Sequence, residues 1–352
     1  MKKIAAFSIT IITAAYLFFT SCSGDKTKFF SVAFYNVENL FDTVDDPHKH
    51  DNNYLPGSKN PWNTQRYNRK LKNLAKVMSA IDPKGFPAVF GLSEVENRKV
   101  VEDLINTGEL KKAGYKIIHK DSPDERGIDV AMLYQPGKYR PLKTRFIRLS
   151  FPSAPNNGTR DIIYSKGLVY GKDTIHIFIN HWVSRYGGRQ KTDKFRRYTG
   201  HLLRLITDSI YNVQPNANIL IEGDLNDNPT DTSVYISLGA KEVKSPFAAK
   251  QLYNLSYGLY KNGQGTVYYR GWNMFDQIIV STALIAGYSG MKTVTDHQII
   301  IKKDWMLYKP KKGEPRPNRT ALGKRYFGGY SDHLPVFIEI EVDLTGEIFT
   351  II

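Results

Sequence analysis

A short apolar run, Asn218-Ile219-Leu220-Ile221, stops at Glu222-Gly223-Asp224-Leu225-Asn226-Asp227-Asn228-Pro229, and that device constrains the chain more than any other feature. β-Branched residues bounded by Gly and an Asn/Asp/Pro cluster read as a buried strand ending in a tight turn. The tip of such a strand carries polar groups. Asp224 and Asn226 stand two residues apart, so both side chains can point into one cleft. A carboxylate takes a proton from water and a carboxamide donates to an oxyanion, which is hydrolytic chemistry on a phosphate or carbonyl ester. Taken alone, the stretch reads equally well as an Asx-rich turn that satisfies only its own backbone.

The device recurs. Phe30 to Tyr35 runs into Asn36-Val37-Glu38-Asn39, Ala88 to Ser93 presents Glu94, Glu96 and Asn97, and Ile175 to Ile179 ends in Asn180-His181-Trp182. Asp332 and His333 open the closing strand, 336–342, while Asp276 enters near the start of a strand over Met274 to Ser281. Between these runs, Tyr67, Leu71, Leu74, Met78 and Ile81 recur at helical spacing up to Pro83 and Gly85; Val100, Val101, Leu104 and Ile105 mark another helix. Phe195, Tyr198, Leu202, Leu205, Ile206 and Ile210 define the apolar face of a third, with Arg196, Arg197 and Arg204 expected mostly on its wet side. Strands alternating with helices predict one layered α/β domain. Residues 45–63 read as a long loop rimming a cleft, and 302–325 as an exposed Pro/Lys/Arg-rich insertion. Asp129, inside the strand 128–134, needs a partner and reads either as a functional residue or, the favoured reading, as one arm of a structural ion pair; His119 reads as a satisfied surface residue rather than a ligand.

Charge and the N-terminus bound the setting. Among 352 residues, 49 Lys and Arg against 34 Asp and Glu give a formal charge of +15, which concentrates polyanions or anionic surfaces near the protein. Lys2-Lys3 precede an apolar run from Ile4 to Phe19, too short for a spanning helix and followed by Thr20-Ser21-Cys22. This is the form of an export signal. Cys22, the single cysteine, stands where a bacterial lipoprotein signal places its acylated cysteine, although Phe19 occupies the usual Leu position. The expected organisation is an export signal over 1–22, a tether over 23–29 and one domain over 30–352. The expected location is the outer membrane of a Gram-negative bacterium, with a cleaved soluble leader as the alternative.

Six motifs, in this order, resemble those of the endonuclease/exonuclease/phosphatase (DNase I-like) superfamily. They are Asn36-Val37-Glu38-Asn39-Leu40, Leu92-Ser93-Glu94-Val95, Asn180-His181-Trp182, Gly223-Asp224-Leu225-Asn226-Asp227, Phe275-Asp276-Gln277-Ile278 and Ser331-Asp332-His333-Leu334-Pro335. The resemblance implies a four-layer α/β sandwich, two packed mixed β-sheets flanked by helices, with the active site at one edge. It implies that Glu94, with Asn36 and Asp332, holds Mg²⁺, with Mn²⁺ or Ca²⁺ as alternatives. It also implies that Asp224 orients or deprotonates the attacking water, Asn226 holds a phosphate oxygen and His181 contacts the scissile phosphate. His333 would bind or protonate the phosphate, or act as base, with Asp276 fixing its tautomer. Glu38 stands near a second metal-associated position, and Gln277 is expected to alter substrate contacts.

The expected activity is therefore Mg²⁺-dependent phosphodiester hydrolysis. Nucleic acid is the first-choice substrate, with Arg185 and Arg189 offering phosphate contacts and Tyr269 and Trp272 offering stacking. A phospholipid or sphingomyelin phosphodiesterase and an inositol-phosphate phosphatase are the enzymatic alternatives, and membrane association through the anchor favours them. An inactive anchored binding protein is a third reading, from another class.

Overall fold

The computed structural model describes residues 27–155 and 158–345. The leader, Cys22 and most of the tether lie outside these residues. The last tether positions already belong to β1 (Thr27–Leu40), which is followed by α1 (Thr64–Met78), β2 (Val89–Val95) and α2 (Arg98–Ile105). Next come β3 (Lys116–His119), β4 (Asp129–Tyr134), β5 (Tyr139–Ile147), β6 (Ile162–Val169) and β7 (Asp173–His181). The long α3 (Arg189–Val213) leads into β8 (Asn218–Asp224), then β9 (Ala240–Glu242), β10 (Leu252–Asn254) and α4 (Tyr257–Lys261). A small hairpin of β11 (Val267–Tyr268) and β12 (Trp272–Asn273) precedes β13 (Asp276–Ser281), α5 (Thr282–Ala286), β14 (Met291–Thr293) and β15 (Ile299–Ile300). Two further ladders, β16 (Leu307–Tyr308) with β17 (Arg316–Pro317) and β18 (Ala321–Leu322) with β19 (Arg325–Tyr326), lead to β20 (Val336–Asp343).

One sheet has the order β14-β20-β1-β2-β4-β3, with β15 added on β20; the other has the order β5-β6-β7-β8-β13-β10-β9. Both are mixed. β1 runs parallel to β2 across α1, and β7 parallel to β8 across α3, because a parallel pair needs a crossover. Side-chain alternation then divides the apolar residues into three cores. Phe30, Val32 and Phe34 pack between the sheets against Ile177, Ile179 and Leu220. Their neighbours Ala33, Tyr35 and Val37 face outward under Leu71, Leu74 and Val101 of α1 and α2. On the other side Phe178, Ile219 and Ile221 are covered by Leu203 and Tyr211 of α3. The central strands are thus buried on both faces, which is why they read as unbroken apolar runs. The layers are helix, sheet, sheet, helix.

Asn63 caps α1 by accepting from the Arg66 amide, and Asn97 caps α2 by accepting from Val100, so Asn97 serves the helix. In α3 the fully buried stripe is Arg196, Thr199, Gly200, Leu203, Thr207 and Tyr211, and the expected Phe195, Tyr198, Leu202, Ile206 and Ile210 flank it, partly buried against the same core, while Leu205 is exposed. Gly200 decides this. A side chain there would meet the Ser233 carbonyl at 2.3 Å, so the helix approaches its neighbour closest along that line. Arg196 is consequently fully buried rather than wet, and its Nε lies 2.7 Å from Asp227 Oδ2. Removing Arg196 takes the nearest cation from buried Asp227 Oδ2, leaving it only the Ser233 hydroxyl while Arg185 holds Oδ1. Arg196→Met is expected to lower unfolding stability by about 3 kcal/mol. Chemical denaturation measures this, and a loss below about 0.5 kcal/mol would place the substitution with ordinary surface changes.

Two other expectations change. The 302–325 insertion is a folded arm, with its two small ladders, buried Met306 and buried Thr320 against the body. His119 is not at the surface, since its side chain is 2% exposed and lies against Asp129.

Candidate active site

The topology brings the polar strand tips to one rim. His181 of β7 is the register partner of Asp224 of β8, and Asp224 in turn of Asp276 of β13. In the other sheet Asn36 pairs with Ser93, beside Glu94, and the turn before β20 places Ser331 Oγ 2.7 Å from the Asn36 carbonyl. β1 and β2 both break register at this edge, and Glu38, Asn39 and Glu94 have φ of 51°, 53° and 63°. Such bulges re-aim side chains, and strained backbone gathers where a site demands it. Asn226, φ 51°, adds a fourth strained residue. Gly223 is required between them, because any side chain would meet the Asn180 carbonyl at 2.3 Å.

Asp224 is the hub. Its Oδ2 accepts from Asn36 Nδ2 at 3.0 Å and lies 3.6 Å from His181 Nε2 and 3.9 Å from His333 Nε2, while Oδ1 accepts from the Asn226 amide at 2.9 Å. His333 Nδ1 is 2.7 Å from Asp276 Oδ2, a charge-assisted hydrogen bond from a carboxylate with no exposure. Asp224, Asp276 and His333 form a tight enough triple to hold a metal. The short hydrogen bond marks them instead as proton-handling groups. Glu94 accepts from Asn36 Nδ2 at 3.2 Å and from the Asn39 amide at 3.0 Å, and its Oε1 is 3.9 Å from His181 Nε2.

The environments drive the titratable groups apart. Burial pushes Asp224 up to about 7 against the pull of His333, with Asp276 adding to the rise. For His333, burial opposes the charged form, yet Asp276, then Asp224 and Asp332, outweigh it and hold the imidazolium well above its usual range. His181 goes the other way: burial, then Arg160, Arg126 and His333, keep it far below the ordinary histidine value and therefore neutral. One cationic and one neutral imidazole on either side of a carboxylate that ionises near neutrality can give, accept and hold a proton at distinct positions.

The residues present fit a hard divalent cation. Among the described residues, no lysine or arginine nitrogen comes within 4.0 Å of the Glu94 carboxylate, whose only hydrogen-bond donors are neutral amides. Oxygen donors at an open rim suit Mg²⁺. Asn36 orients Glu94, because its amide is donated to Glu94 and Asp224 while its oxygen accepts from the Glu38 amide at 2.9 Å. Asp332 is engaged by Arg319 Nη2 at 2.9 Å, so any cation there shares it with that arginine. Glu94→Gln is expected to raise the divalent-cation concentration for half-maximal activity by about 10-fold or more. A metal titration of initial rates checks this, and an unchanged midpoint would remove Glu94 from the cation site.

Asn226 donates its side-chain amide to the Trp182 carbonyl at 3.1 Å, which leaves one further amide hydrogen beside Asp224. Arg185 and Arg189 are engaged by protein carboxylates. Arg185 binds the Asn226 carbonyl, Asp227 and Asp231, and Arg189 binds Asp231, so both brace the loop after β8. Gln277 is fully buried between Asn254 Nδ2 and the carbonyls of Asp227 and Met274, with no surface at the rim. Tyr269 is 66% exposed at the tip of the β11–β12 hairpin, whose Val267 bridges His333; Trp272 is half-buried, bonded to Glu314 and covered by Lys302. Sequence reasoning missed Arg319, which bonds Glu38 and Asp332 from within the basic arm, where one arginine among many carries no distinguishing signal. It also missed Arg160, which is buried, pairs with Asp124 and donates to the Trp182 carbonyl. Glu38 is buried beneath Thr320 and Arg319, and burial, then Asp332, pushes it up to about 7. A cavity of about 420 Å³ opens beside it, lined by Asn39, Tyr54, Lys59, Asn60, Arg319 and Lys324 among others.

Residues 31–342 match the sequence profile of the Endonuclease/Exonuclease/phosphatase family. The chain belongs to that family. An endonuclease/exonuclease/phosphatase family protein of Bacteroides thetaiotaomicron superposes with TM-score 0.54 at 16% identity, covering 90% of this chain and 99% of that one. D. rerio TDP2, solved with a single-strand DNA product, gives TM-score 0.51 at 16% identity over 89% and 98% of the two chains. The mannosyl-6-phosphatase Bt3783 of B. thetaiotaomicron gives 0.53 at 15% over 88% and 99%. At such identities the likeness is one of fold. No curated protein matches the sequence. As a member of the endonuclease/exonuclease/phosphatase family, the chain is a metal-dependent phosphoester hydrolase.

Proposed function

We propose that this family member is a Mg²⁺-dependent phosphodiesterase acting on nucleic acid. The observation that carries the hydrolytic part is the convergence on Asp224 of Asn36, His181 and the His333–Asp276 pair. When bound, the cation polarises the phosphate as a Lewis acid. Asp224, ionising near neutrality, takes the proton of the attacking water. His333, held cationic by Asp276, donates to the phosphate or to the departing oxygen. Neutral His181 and the remaining Asn226 amide hydrogen bind oxygens whose charge grows in the transition state.

Nucleic acid is favoured by the β11–β12 hairpin. It is bridged to His333 at its base and carries exposed Tyr269 and Arg270 at its tip, in a protein of charge +15. An aromatic ring and a guanidinium beside the reacting phosphate provide stacking and a backbone contact. The single-strand DNA product held by the similarly folded TDP2 is compatible with this choice. A second reading rests on the cavity beside Glu38, where Lys59, Asn60, Arg319 and Lys324 surround space for a compact phosphorylated sugar. The similarly folded mannosyl-6-phosphatase makes that class the comparison substrate. The test is Mg²⁺-dependent release of product from single-stranded DNA, RNA, sphingomyelin, an inositol phosphate and mannose 6-phosphate, side by side. Preferential cleavage of DNA or RNA supports the first reading, and turnover confined to the sugar phosphate replaces it with the second.

Export and acylation at Cys22 belong to the same proposal and rest on the leader's sequence form alone. Cys22→Ser should move the protein from the membrane to the soluble fraction. An unchanged membrane-bound fraction would count against the anchor.

A further inference from the structure

We propose that His119, Asp121 and Asp129 bind a second divalent cation, of the Zn²⁺ or Mn²⁺ type, outside the catalytic rim. His119 ends β3 and Asp129 begins β4, and the antiparallel pairing of the two strands sets them on facing ends of one turn. One oxygen or nitrogen from each of the three residues falls within a cluster 4.8 Å across. His119 Nε2 lies 3.6 Å from Asp129 Oδ2, and Nδ1 lies 3.9 Å from Asp121 Oδ1. The first separation exceeds a hydrogen bond and leaves room for a cation between Nε2 and Asp129; a single cation takes only one ring nitrogen, so Asp121 would join it from the flank, within the same 4.8 Å group.

A second observation points to a ligand. The His119 side chain is 2% exposed, and its Nε2 is buried without any hydrogen-bond partner. A buried polar atom in that state calls for an occupant, because leaving it unsatisfied costs free energy. Asp129 is prepared in the same way: Oδ1 accepts from the Ser122 amide at 2.9 Å, which turns Oδ2 toward the imidazole. Among the described residues no lysine or arginine nitrogen lies within 4.0 Å of its carboxylate. Beyond Asp121 and Asp129 a cavity of about 240 Å³ is lined by Asp42, Asp45, Asp46 and Glu96 together with Lys49, a carboxyl-rich mouth in an otherwise basic protein.

The donor set selects the metal class. One imidazole nitrogen with carboxylate oxygens is a borderline set that Zn²⁺ or Mn²⁺ fills, whereas Mg²⁺ prefers oxygens alone. Exposed Asp121 leaves the remaining coordination positions open to water. The role is structural. The 120–128 turn already accepts Lys49 Nζ at Ser122 and Asp124 and the His50 amide at Glu125, and Arg160 ties Asp124 to the carbonyl of Trp182, next to His181. A cation at the base of the turn would fix this connection between the 42–51 loop and the catalytic edge.

The test adds Zn²⁺ to the full chain in saturating Mg²⁺ and follows bound equivalents by equilibrium dialysis and stability by thermal unfolding. The wild type should bind one Zn²⁺ more than His119→Ala or Asp129→Asn, and Tm should rise by about 4 °C only where that equivalent is bound. Asp121→Asn, at an exposed position that does not endanger folding, should weaken this binding about 10-fold. Glu94→Gln should keep the equivalent, which separates it from the catalytic cation. Equal Zn²⁺ stoichiometry and equal Tm shifts in the wild type, His119→Ala and Asp121→Asn would overturn the proposal and leave His119 as a partner of two carboxylates.

Discussion

Asp224→Asn is expected to lower kcat by about 10³- to 10⁴-fold while leaving KM within a few-fold of the wild type. The substitution keeps the size of the side chain and an oxygen that can still accept from the Asn226 amide. It removes the charge toward which His333, His181 and Asn36 all point. With no base, water attacks unassisted, and His333 loses one of the carboxylates that keep it cationic. Substrate binding depends on other groups, which is why KM should hold. Steady-state kinetics on whichever substrate the panel selects gives the answer. A matched rise in KM with kcat unchanged would make Asp224 a binding residue.

Asp276→Asn should cost about 10²-fold or more in kcat and also displace the pH profile, a shift that loss of packing alone would not produce. In the wild type His333 is raised well above the ordinary histidine value, mainly by Asp276 against the opposing effect of burial. Activity that needs the imidazolium is therefore present at low pH and falls as pH rises through that raised value. Removing the partner leaves burial dominant, and burial disfavours charge. The alkaline limb of kcat/KM should move to lower pH in Asp276→Asn. The acid limb, set in the wild type by the buried Asp224 near 7, should remain and move up, since the cationic His333 lowers Asp224 by more than Asp276 raises it and that cation is lost in the variant. An alkaline limb that stays in place would mean that His333 is not the titrating acid.

What the sequence revealed follows from which signals burial writes into residue type. β1, β2, β7 and β8 are buried on both faces, so their apolar runs and the polar residues that end them were plain. The order of the six motifs placed the chain in its family and gave the layering. Charged and small residues inside the fold were harder. Phe195 and Tyr198 do pack against the α3 core, but the fully buried line beside them holds Arg196, Thr199, Gly200 and Thr207 among Leu203 and Tyr211, and the polar and small members carry little apolar signal. Arg185 looked available because a basic loop beside His181 suggests phosphate, yet its guanidinium is consumed by Asp227 and Asp231, which are distant in sequence. His119 was misplaced for a related reason, since a single polar residue at a strand end does not announce that the turn beyond it folds back. Arg319 joins Glu38 to Asp332 only through the fold of the arm.

Hydrolysis of bis(p-nitrophenyl) phosphate, a diester without specificity elements, tests the rim most directly. Initial rates are measured for the wild type in Mg²⁺, for the wild type in EDTA, and for Asp224→Asn in Mg²⁺. Cleavage only in the first arm, restored to the EDTA sample by adding back Mg²⁺, is the expected outcome. Equal rates in all three arms would mean that the convergence of Glu94, His181, Asp224 and His333 does not catalyse phosphoester hydrolysis.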